Sequence, residues 1–356
     1  MKVLAVETSC DETSVAVVEE NQILSNVVAT QEEVHAPFGG VVPELASRRH
    51  LEMLPTLTQR ALEKSSLSLS DIEGVAVTAS PGLVGALLVG LSYAKALAFA
   101  RGLPFVGVNH LEGHLNSVFL EEKNTPSITS TPSNSPLQRG RMAGELNAPQ
   151  YPYCCLVVSG GHTSLYHVRS FGEYRRLGNT RDDAAGEVYD KAAKLLGLGY
   201  PGGPILDRLA TQGNPKAFHF TIPNLGDKTS LEFSFSGFKT AVRLLVEKQK
   251  TISPTFQQDI AASFQEVVTS FLLNRIISAA QKCNTKTIAV VGGVASNQGL
   301  RKKLEALRAE EYSIHIPPLF LCTDNAAMIG YVGGQYLKRG VQSPWNLNAT
   351  AVHELG

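Results

Sequence analysis

The chain has 356 residues, enough for two domains with full cores, and its 43% apolar content is that of an ordinary globular protein. Thirty-two basic residues balance thirty-two acidic ones, so no global field draws nucleic acid or an anionic membrane. Any RNA contact is confined to a local patch, such as Arg48-Arg49-His50 or Arg175-Arg176 with Arg181.

The first apolar residues are followed too soon by Glu7 and Asp11 for a signal peptide. Val3 to Thr8, Ser14 to Val18 and Ile23 to Ala29 alternate as a strand meander whose first turn is Ser9-Cys10-Asp11-Glu12. A loop rich in Pro and Gly runs to Pro43, and an amphipathic helix is predicted over 44–64. A strand over 74–78 and a Ser80-Pro81-Gly82 turn lead to the apolar run Leu83 to Ala100. That run has the length of a membrane span, but Lys95 inside it and ordinary helix ends around it predict a buried core helix. Five cysteines without a Cys-x-x-Cys suit a reducing compartment, so a soluble, cytoplasmic chain away from any membrane is expected.

A short strand, Phe105 to Val108, then delivers His110 and His114. Four residues apart on a helix, both imidazoles lie on one face and can grip one transition metal. Glu112 stands two residues after the first histidine, about 200° round the helix, whereas a zinc peptidase needs its glutamate at about 100°. The helix is therefore not a peptidase helix, and the spacing alone leaves a purely structural pair open.

The second half repeats the plan of the first. Cys154 to Ser159, His162 to Arg169 and Tyr174 to Leu177 read as strands, followed by helices over 187–196, 236–247 and 257–282. A strand over 287–291 ends in Gly292-Gly293 and opens a helix at Ala295. A meander with a βαβα tail, occurring twice, predicts a duplicated α/β fold around a central cleft. The expected divisions are an N-terminal lobe of 1–121 with 323–345, a Ser/Thr/Pro-rich mobile insertion over 122–151, and a C-terminal lobe of 152–322.

Glycine-rich turns at strand ends and helix starts let main-chain N–H groups approach an anion: Val157-Val158-Ser159-Gly160-Gly161, Tyr200-Pro-Gly-Gly203-Pro204, and Gly292-Gly-Val-Ala-Ser-Asn297. Each alone fits a plain tight turn, yet their recurrence in both halves predicts one nucleotide held between lobes. No Walker-type loop is present. Asp11 and Glu12 either tip the first hairpin or face the phosphates, directly or through a metal or water. Asp183 reads as an N-cap, with Asp190 a helical face further on. Asp324 also reads first as an N-cap, and as a third metal ligand if the last helix folds back across the cleft.

Eight motifs then occur in order: Glu7-Thr-Ser-Cys-Asp-Glu-Thr13, the His110/His114 helix, Val158-Ser-Gly-Gly-His-Thr163, Asp182-Asp-Ala-Ala-Gly-Glu187, Tyr200-Pro-Gly-Gly-Pro204, Phe233-Ser-Phe-Ser-Gly-Phe-Lys239, Gly292-Gly-Val-Ala-Ser-Asn297 and Thr323-Asp324-Asn325. Together they resemble the bacterial tRNA N6-adenosine threonylcarbamoyltransferase family, within the actin, Hsp70 and sugar-kinase superfamily. The resemblance spans the chain except the insertion, and His162 is similar to the bacterial branch, where archaeal relatives carry Asn.

The resemblance implies an acyltransferase that moves a threonylcarbamoyl group from threonylcarbamoyl-adenylate to tRNA adenosine. His110, His114 and Asp324 are then expected to hold one Fe2+, or alternatively Zn2+, per subunit. Val157, Val158, Ser159, Gly160, Gly161, Asp190, Gly203, Asp207 and Asn297 are expected around the adenylate. Asp11 and Glu12 are the candidates for proton handling or for Mg2+ at the phosphates. The resemblance also implies two protein partners, a shorter paralogous subunit and a small P-loop ATPase, with a dimer face around 44–62. An ATP-dependent switch or a small-molecule kinase of the same fold is the rival reading, and it leaves the histidine pair unexplained.

Overall fold

A computed structural model describes residues 1–122, 148–222 and 230–355. The insertion expected over 122–151 falls mainly on 123–147, outside the described residues.

The first lobe is built on one sheet of order β5-β4-β1-β2-β3-β6. Its strands are β1 (Lys2–Glu7), β2 (Glu12–Glu19), β3 (Gln22–Thr30), β4 (Gly74–Ser80), β5 (Phe105–Asn109) and β6 (Glu121–Glu122). The meander β1–β2–β3 is antiparallel, and β4 and β5 add in parallel to β1. Between them run α1 (Glu32–His35), α2 (Pro43–Ser65) and α3 (Val84–Arg101), with α4 (His110–Asn116) following β5.

The second lobe repeats this order as β11-β10-β7-β8-β9, again with an antiparallel meander and two parallel additions. Its elements are β7 (Tyr153–Val158), β8 (Thr163–Ser170), β9 (Glu173–Asn179), α5 (Ala185–Leu195), α6 (Gly202–Ala210), α7 (Ser236–Glu247), α8 (Pro254–Lys282), β10 (Thr287–Val291), α9 (Gln298–Ala306), β11 (Ser313–His315) and α10 (Leu319–Cys322). A last helix, α11 (Ala326–Lys338), crosses back to the first sheet. This is the duplicated α/β architecture that the repeat anticipates.

The central strands are apolar on both faces because both faces are covered. On β1, Val3 and Ala5 point into the core shared with α11, whereas Leu4 and Val6 point into the core under α2 and α3. In the second lobe Cys154, Leu156 and Val158 face the helical layer. The alternate residues Tyr153, Cys155 and Val157 face Leu111 and Leu115 of α4 instead. Helix α4 therefore belongs to the first lobe by sequence and packs on the sheet of the second.

Several local expectations change. Helix α3 is the one described helix long and apolar enough to cross a membrane. It is not a fully buried core helix: Ala86, Leu87, Leu91, Ala94 and Ala98 face inward, while Val84, Leu88 and Phe99 are exposed. After β10 the chain does not enter an α-helix at Ala295. A 3₁₀ turn over Gly293–Ser296 comes first, and α9 starts only after Asn297 caps it. The residues beyond α11, which show no periodicity, run back along the first sheet. Ser343 N donates to Phe105 O (2.9 Å), Thr350 N to Ala79 O (3.0 Å), and Trp345 packs on Phe105 with ring centroids 4.8 Å apart.

Leu115 is fully buried between the lobes. Leu115→Ala is expected to lower the unfolding free energy by about 2–5 kcal/mol, measured by denaturant titration, because the rigid sheet cannot close the cavity.

Candidate functional site

Helix α4 begins where it does because Asn109, the last residue of β5, caps it. The Asn109 side-chain oxygen accepts from Leu111 N (2.9 Å) and Glu112 N (3.3 Å). His110 and His114 then stand one turn apart, with ring centroids separated by 4.7 Å. Across from them is Asp324, whose Oδ1 lies 3.4 Å from His110 Nε2 and 3.0 Å from His114 Nε2.

Asp324 is free to do this because it is not the cap of α11. Asn325 takes that role, its Oδ1 accepting from Met328 N (3.1 Å), so the N-cap reading of Asp324 moves by one residue. The three donor atoms lie within 4.8 Å of one another, two imidazole nitrogens and one carboxylate oxygen, a set that suits Fe2+ or Zn2+. Burial opposes ionising Asp324, but the two imidazoles outweigh it and hold the carboxyl well below its ordinary range.

The far side of α4 explains how it is held. Glu112 does point away from the histidines, into a buried pocket where its Oε1 accepts from Tyr174 OH (2.9 Å) and Tyr336 OH (2.7 Å). Tyr174 comes from β9 of the second lobe and Tyr336 from α11, so this carboxylate ties the metal helix to both. Burial pushes the Glu112 carboxyl up, against the two tyrosine hydroxyls that favour its ionised form. Between α4 and α11 the approach is closest at Gly113, where an added Cβ would lie 2.8 Å from Ile329 Cδ1 and 3.0 Å from Met328 Cγ.

The second lobe supplies the opposite wall. After β7 the chain turns through Ser159, Gly160, Gly161 and His162, closed by Ser159 N donating to His162 O (2.8 Å) and His162 N to Ser159 Oγ (3.1 Å). Gly160 and Gly161 are exposed with no atom over their Cβ directions, an open backbone cradle. Helix α5 abuts this turn, with Gly186 N donating to Ser159 O (3.0 Å). The His162 ring faces His110 with centroids 6.2 Å apart. Burial first, then the charges of His110 and His114, hold the His162 imidazole down at about 4, so it is neutral.

The remaining expected residues divide. Val157 and Val158 are fully buried in the β7 ladder, so their side chains do not reach the cleft. Asp190 accepts from Gly202 N (2.7 Å) at the start of α6, which also carries Gly203. Asp207 uses Oδ2 to accept from Gln298 N (3.1 Å), while its Oδ1 is buried without a protein partner. Asn297 is spent within the lobe: Oδ1 accepts from Leu300 N (2.9 Å) and Nδ2 donates to Gln265 Oε1 (2.7 Å). Asp183 is not an N-cap. It pairs with Lys191 (2.7 Å), and Thr163 Oγ1 accepts from Ala185 N (2.8 Å) in its place.

Asp11 and Glu12 open β2 at the same cleft. Burial, then the neighbouring Asp11 and the Asp324 charge, push the Glu12 carboxyl well up. Asp11 is also felt from the other lobe, where after burial it is the largest influence raising the Tyr200 phenol.

Sequence reasoning missed Glu7, which pairs with His110, and its partner Thr78, and the two tyrosines, Tyr174 and Tyr336, that hold Glu112. A carboxylate ending the apolar strand Val3–Val6 was the available signal for Glu7, and no local pattern marks the tyrosines.

Comparison with known proteins finds one family along the chain. Residues 22–143 and 137–331 match the family described as tRNA N6-adenosine threonylcarbamoyltransferase. A protein of that description from Thermodesulfovibrio yellowstonii is 45% identical over 355 residues, covering 99% of each chain. One from a Cyanothece species is 49% identical over 350 residues, 97% of this chain and 94% of its own. Among solved structures, the activator of the 2-hydroxyisocaproyl-CoA dehydratase from Clostridium difficile with bound ADPNP aligns with a TM-score of 0.48 and 14% identity, covering 97% of this chain and 99% of its own.

Two outcomes follow for the clamp on α4. Gly113→Ala forces Ile329 and Met328 outward, and should cost about 1–3 kcal/mol of stability as an overpacked contact. Tyr336→Phe leaves Glu112 short of one donor and should cost about 1–3 kcal/mol in thermal or denaturant unfolding.

Proposed function

The chain belongs to the tRNA N6-adenosine threonylcarbamoyltransferase family and is a tRNA-modifying transferase. From that membership we propose that it transfers the threonylcarbamoyl group of threonylcarbamoyl-adenylate to the N6 amine of the adenosine just 3′ of the anticodon, in tRNAs reading codons that start with A. The amine nitrogen forms the new bond to the carbamoyl carbon, the bond from that carbon to the phosphate oxygen breaks, and AMP leaves. The observation that carries this reading is that the His110/His114/Asp324 cluster adjoins the glycine turn after β7, the His162 ring of that turn lying 6.2 Å from the His110 ring.

The mixed anhydride is already activated, so positioning and charge stabilisation supply most of the acceleration. The bare amides of Gly160 and Gly161 suit the phosphate. The partnerless Asp207 Oδ1 accepts from the nucleoside, and Asp190 supports it by fixing the glycine start of α6. His110, His114 and Asp324 would hold one Fe2+, with Zn2+ as the alternative. When bound, the ion supplies Lewis acidity to the oxygens of the threonylcarbamoyl group. Asp11 and Glu12 are the proposed carboxylates for the amine proton or for a Mg2+ on the phosphates. Asn297 acts by building the wall, since both ends of its side chain are engaged there.

The reading places the protein in the cytoplasm with tRNA. Its proposed partners are a shorter paralogous subunit, docked on α2 around 44–62, and a small P-loop ATPase. Leu51 on the outer face of α2 is 68% exposed, which favours that helix as the docking face.

Purified protein should contain about one iron or zinc per chain, and His110→Ala with His114→Ala should remove it without unfolding the chain. Given threonylcarbamoyl-adenylate, tRNA and the partner proteins, wild type should form threonylcarbamoyladenosine, detected by nucleoside mass spectrometry. The double variant should lose turnover more than adenylate binding. Asp207→Ala should weaken adenylate binding by about 1–3 kcal/mol, as the loss of a buried acceptor. Brisk ATP hydrolysis with no tRNA product would favour an ATP-driven switch instead.

A further inference from the structure

One buried carboxylate near the cluster is not among its ligands. Glu7 ends β1, is 0% exposed, and has His110 as its ion-pair partner among the described residues. Its two oxygens are divided between three donors. Oε1 accepts from Ser9 N (2.5 Å), and Oε2 accepts from Thr78 Oγ1 (2.5 Å) and from His110 Nδ1 (3.1 Å).

Such a group is costly to keep. An ionised side chain taken out of water is destabilising by several kcal/mol unless its surroundings answer the charge. Here the answer is a backbone amide, a hydroxyl and one imidazole. Resting on the metal reading above, we propose that Glu7 is a positioning residue for the metal: it fixes His110 with the proton on Nδ1 and the Nε2 lone pair toward His114 and Asp324.

The tautomer argument turns on what each neighbour of Nδ1 can do. Ser9 Oγ lies 3.1 Å from Nδ1, and a hydroxyl can either donate to that nitrogen or accept from it. An ionised carboxylate can only accept. Glu7 therefore requires a hydrogen on Nδ1, and it orients the Ser9 hydroxyl to match. With Nδ1 holding its hydrogen, Nε2 is the ring atom a metal ion would take, and Nε2 is the atom that lies 3.4 Å from Asp324 Oδ1. Thr78 and the Ser9 amide hold Glu7 from two other directions, so the ring plane is set by a rigid sheet edge. His114 has no such support, since its Nδ1 is buried without a hydrogen-bond partner. The two histidines are thus unequal: His110 is the anchored one.

Charge balance points the same way. Glu7 and Asp324 bring two negative charges into one buried pocket with two imidazoles, and a divalent cation brings that set to neutrality. A carboxylate hydrogen-bonded to the far nitrogen of a metal-binding imidazole also raises its basicity as a ligand.

The test is zinc affinity of the full-length chain at neutral pH, measured by competition with a chromophoric chelator. Glu7→Gln is expected to loosen zinc about 10- to 100-fold. The amide has one acceptor oxygen where Glu7 uses two, so either Ser9 N–H or the Thr78/His110 pair meets an NH2 group. Thr78→Val keeps the carboxylate but removes one of its anchors, and should weaken zinc in the same direction by a smaller factor. In a His110→Ala background the effect of Glu7→Gln should vanish, whereas a general loss of structure would persist there. Wild-type protein that binds no zinc or iron overturns the metal reading itself. Wild-type protein that binds, with Glu7→Gln within about twofold of it, overturns only the role of Glu7. Undiminished weakening in the His110→Ala background also overturns that role. If Glu7→Gln does not fold, unchanged zinc affinity in Thr78→Val overturns it.

Discussion

Everything at the cleft depends on the burial of one seven-residue helix between two sheets. Helix α4 is too short to be stable alone, since isolated helices below about 12–15 residues are marginal in water. All seven of its residues are nevertheless buried, which makes it part of the core. Leu111 and Leu115 fill the face of the second sheet, Gly113 lets α11 approach, and Glu112 is gripped by tyrosines from β9 and α11. Only the remaining face, with His110 and His114, is left for chemistry.

That arrangement explains how a metal triad can draw on residues more than two hundred positions apart. Asp324 precedes α11, and α11 packs along α4 at the Gly113 contact. The separation of Asp324 from the histidines is therefore set by helix packing, not by a loop. A site mounted on packed elements holds its geometry better than one on mobile segments, because interiors respond to strain as close-packed solids. The opposite wall is made differently. Its parts are backbone amides at Gly160 and Gly161 and helix starts braced by Asp190 and Asn297, so its shape is largely a property of turns.

The two lobes share a topology but have divided the work. In the first, the turn after β1 carries carboxylates and the parallel addition β5 leads to the metal helix. In the second, the matching turn after β7 carries two bare glycines, and β10, the counterpart of β4, leads to the Asn297-capped helix. The Asp11 charge reaches across to the second lobe, where it acts on Tyr200 and Asp190.

Much of this was legible in the chain alone. The unbroken apolar runs Val3–Val6 and Cys154–Val158 mark central strands, because a strand covered on both faces must be apolar at every position. The spacing of His110 and His114 marks a shared helical face, and the position of Glu112 excludes a peptidase, since both follow from 3.6 residues per turn. The helix starts were less secure. Asp183 and Asp324 both look like caps, yet Thr163 and Asn325 do the capping, because which neighbour reaches an amide depends on where the preceding turn points. Tertiary structure alone decided that α3 exposes one flank, that Val157 and Val158 are locked in a ladder, and that Asn297 is consumed by Gln265. It also decided that Glu7 stands behind His110 and that Glu112 finds two tyrosines. Period and turn chemistry act within a few residues and can be read along the chain. The contacts that aim a ring or leave a carboxylate oxygen free join residues about one hundred to two hundred positions apart, and only packing brings those together.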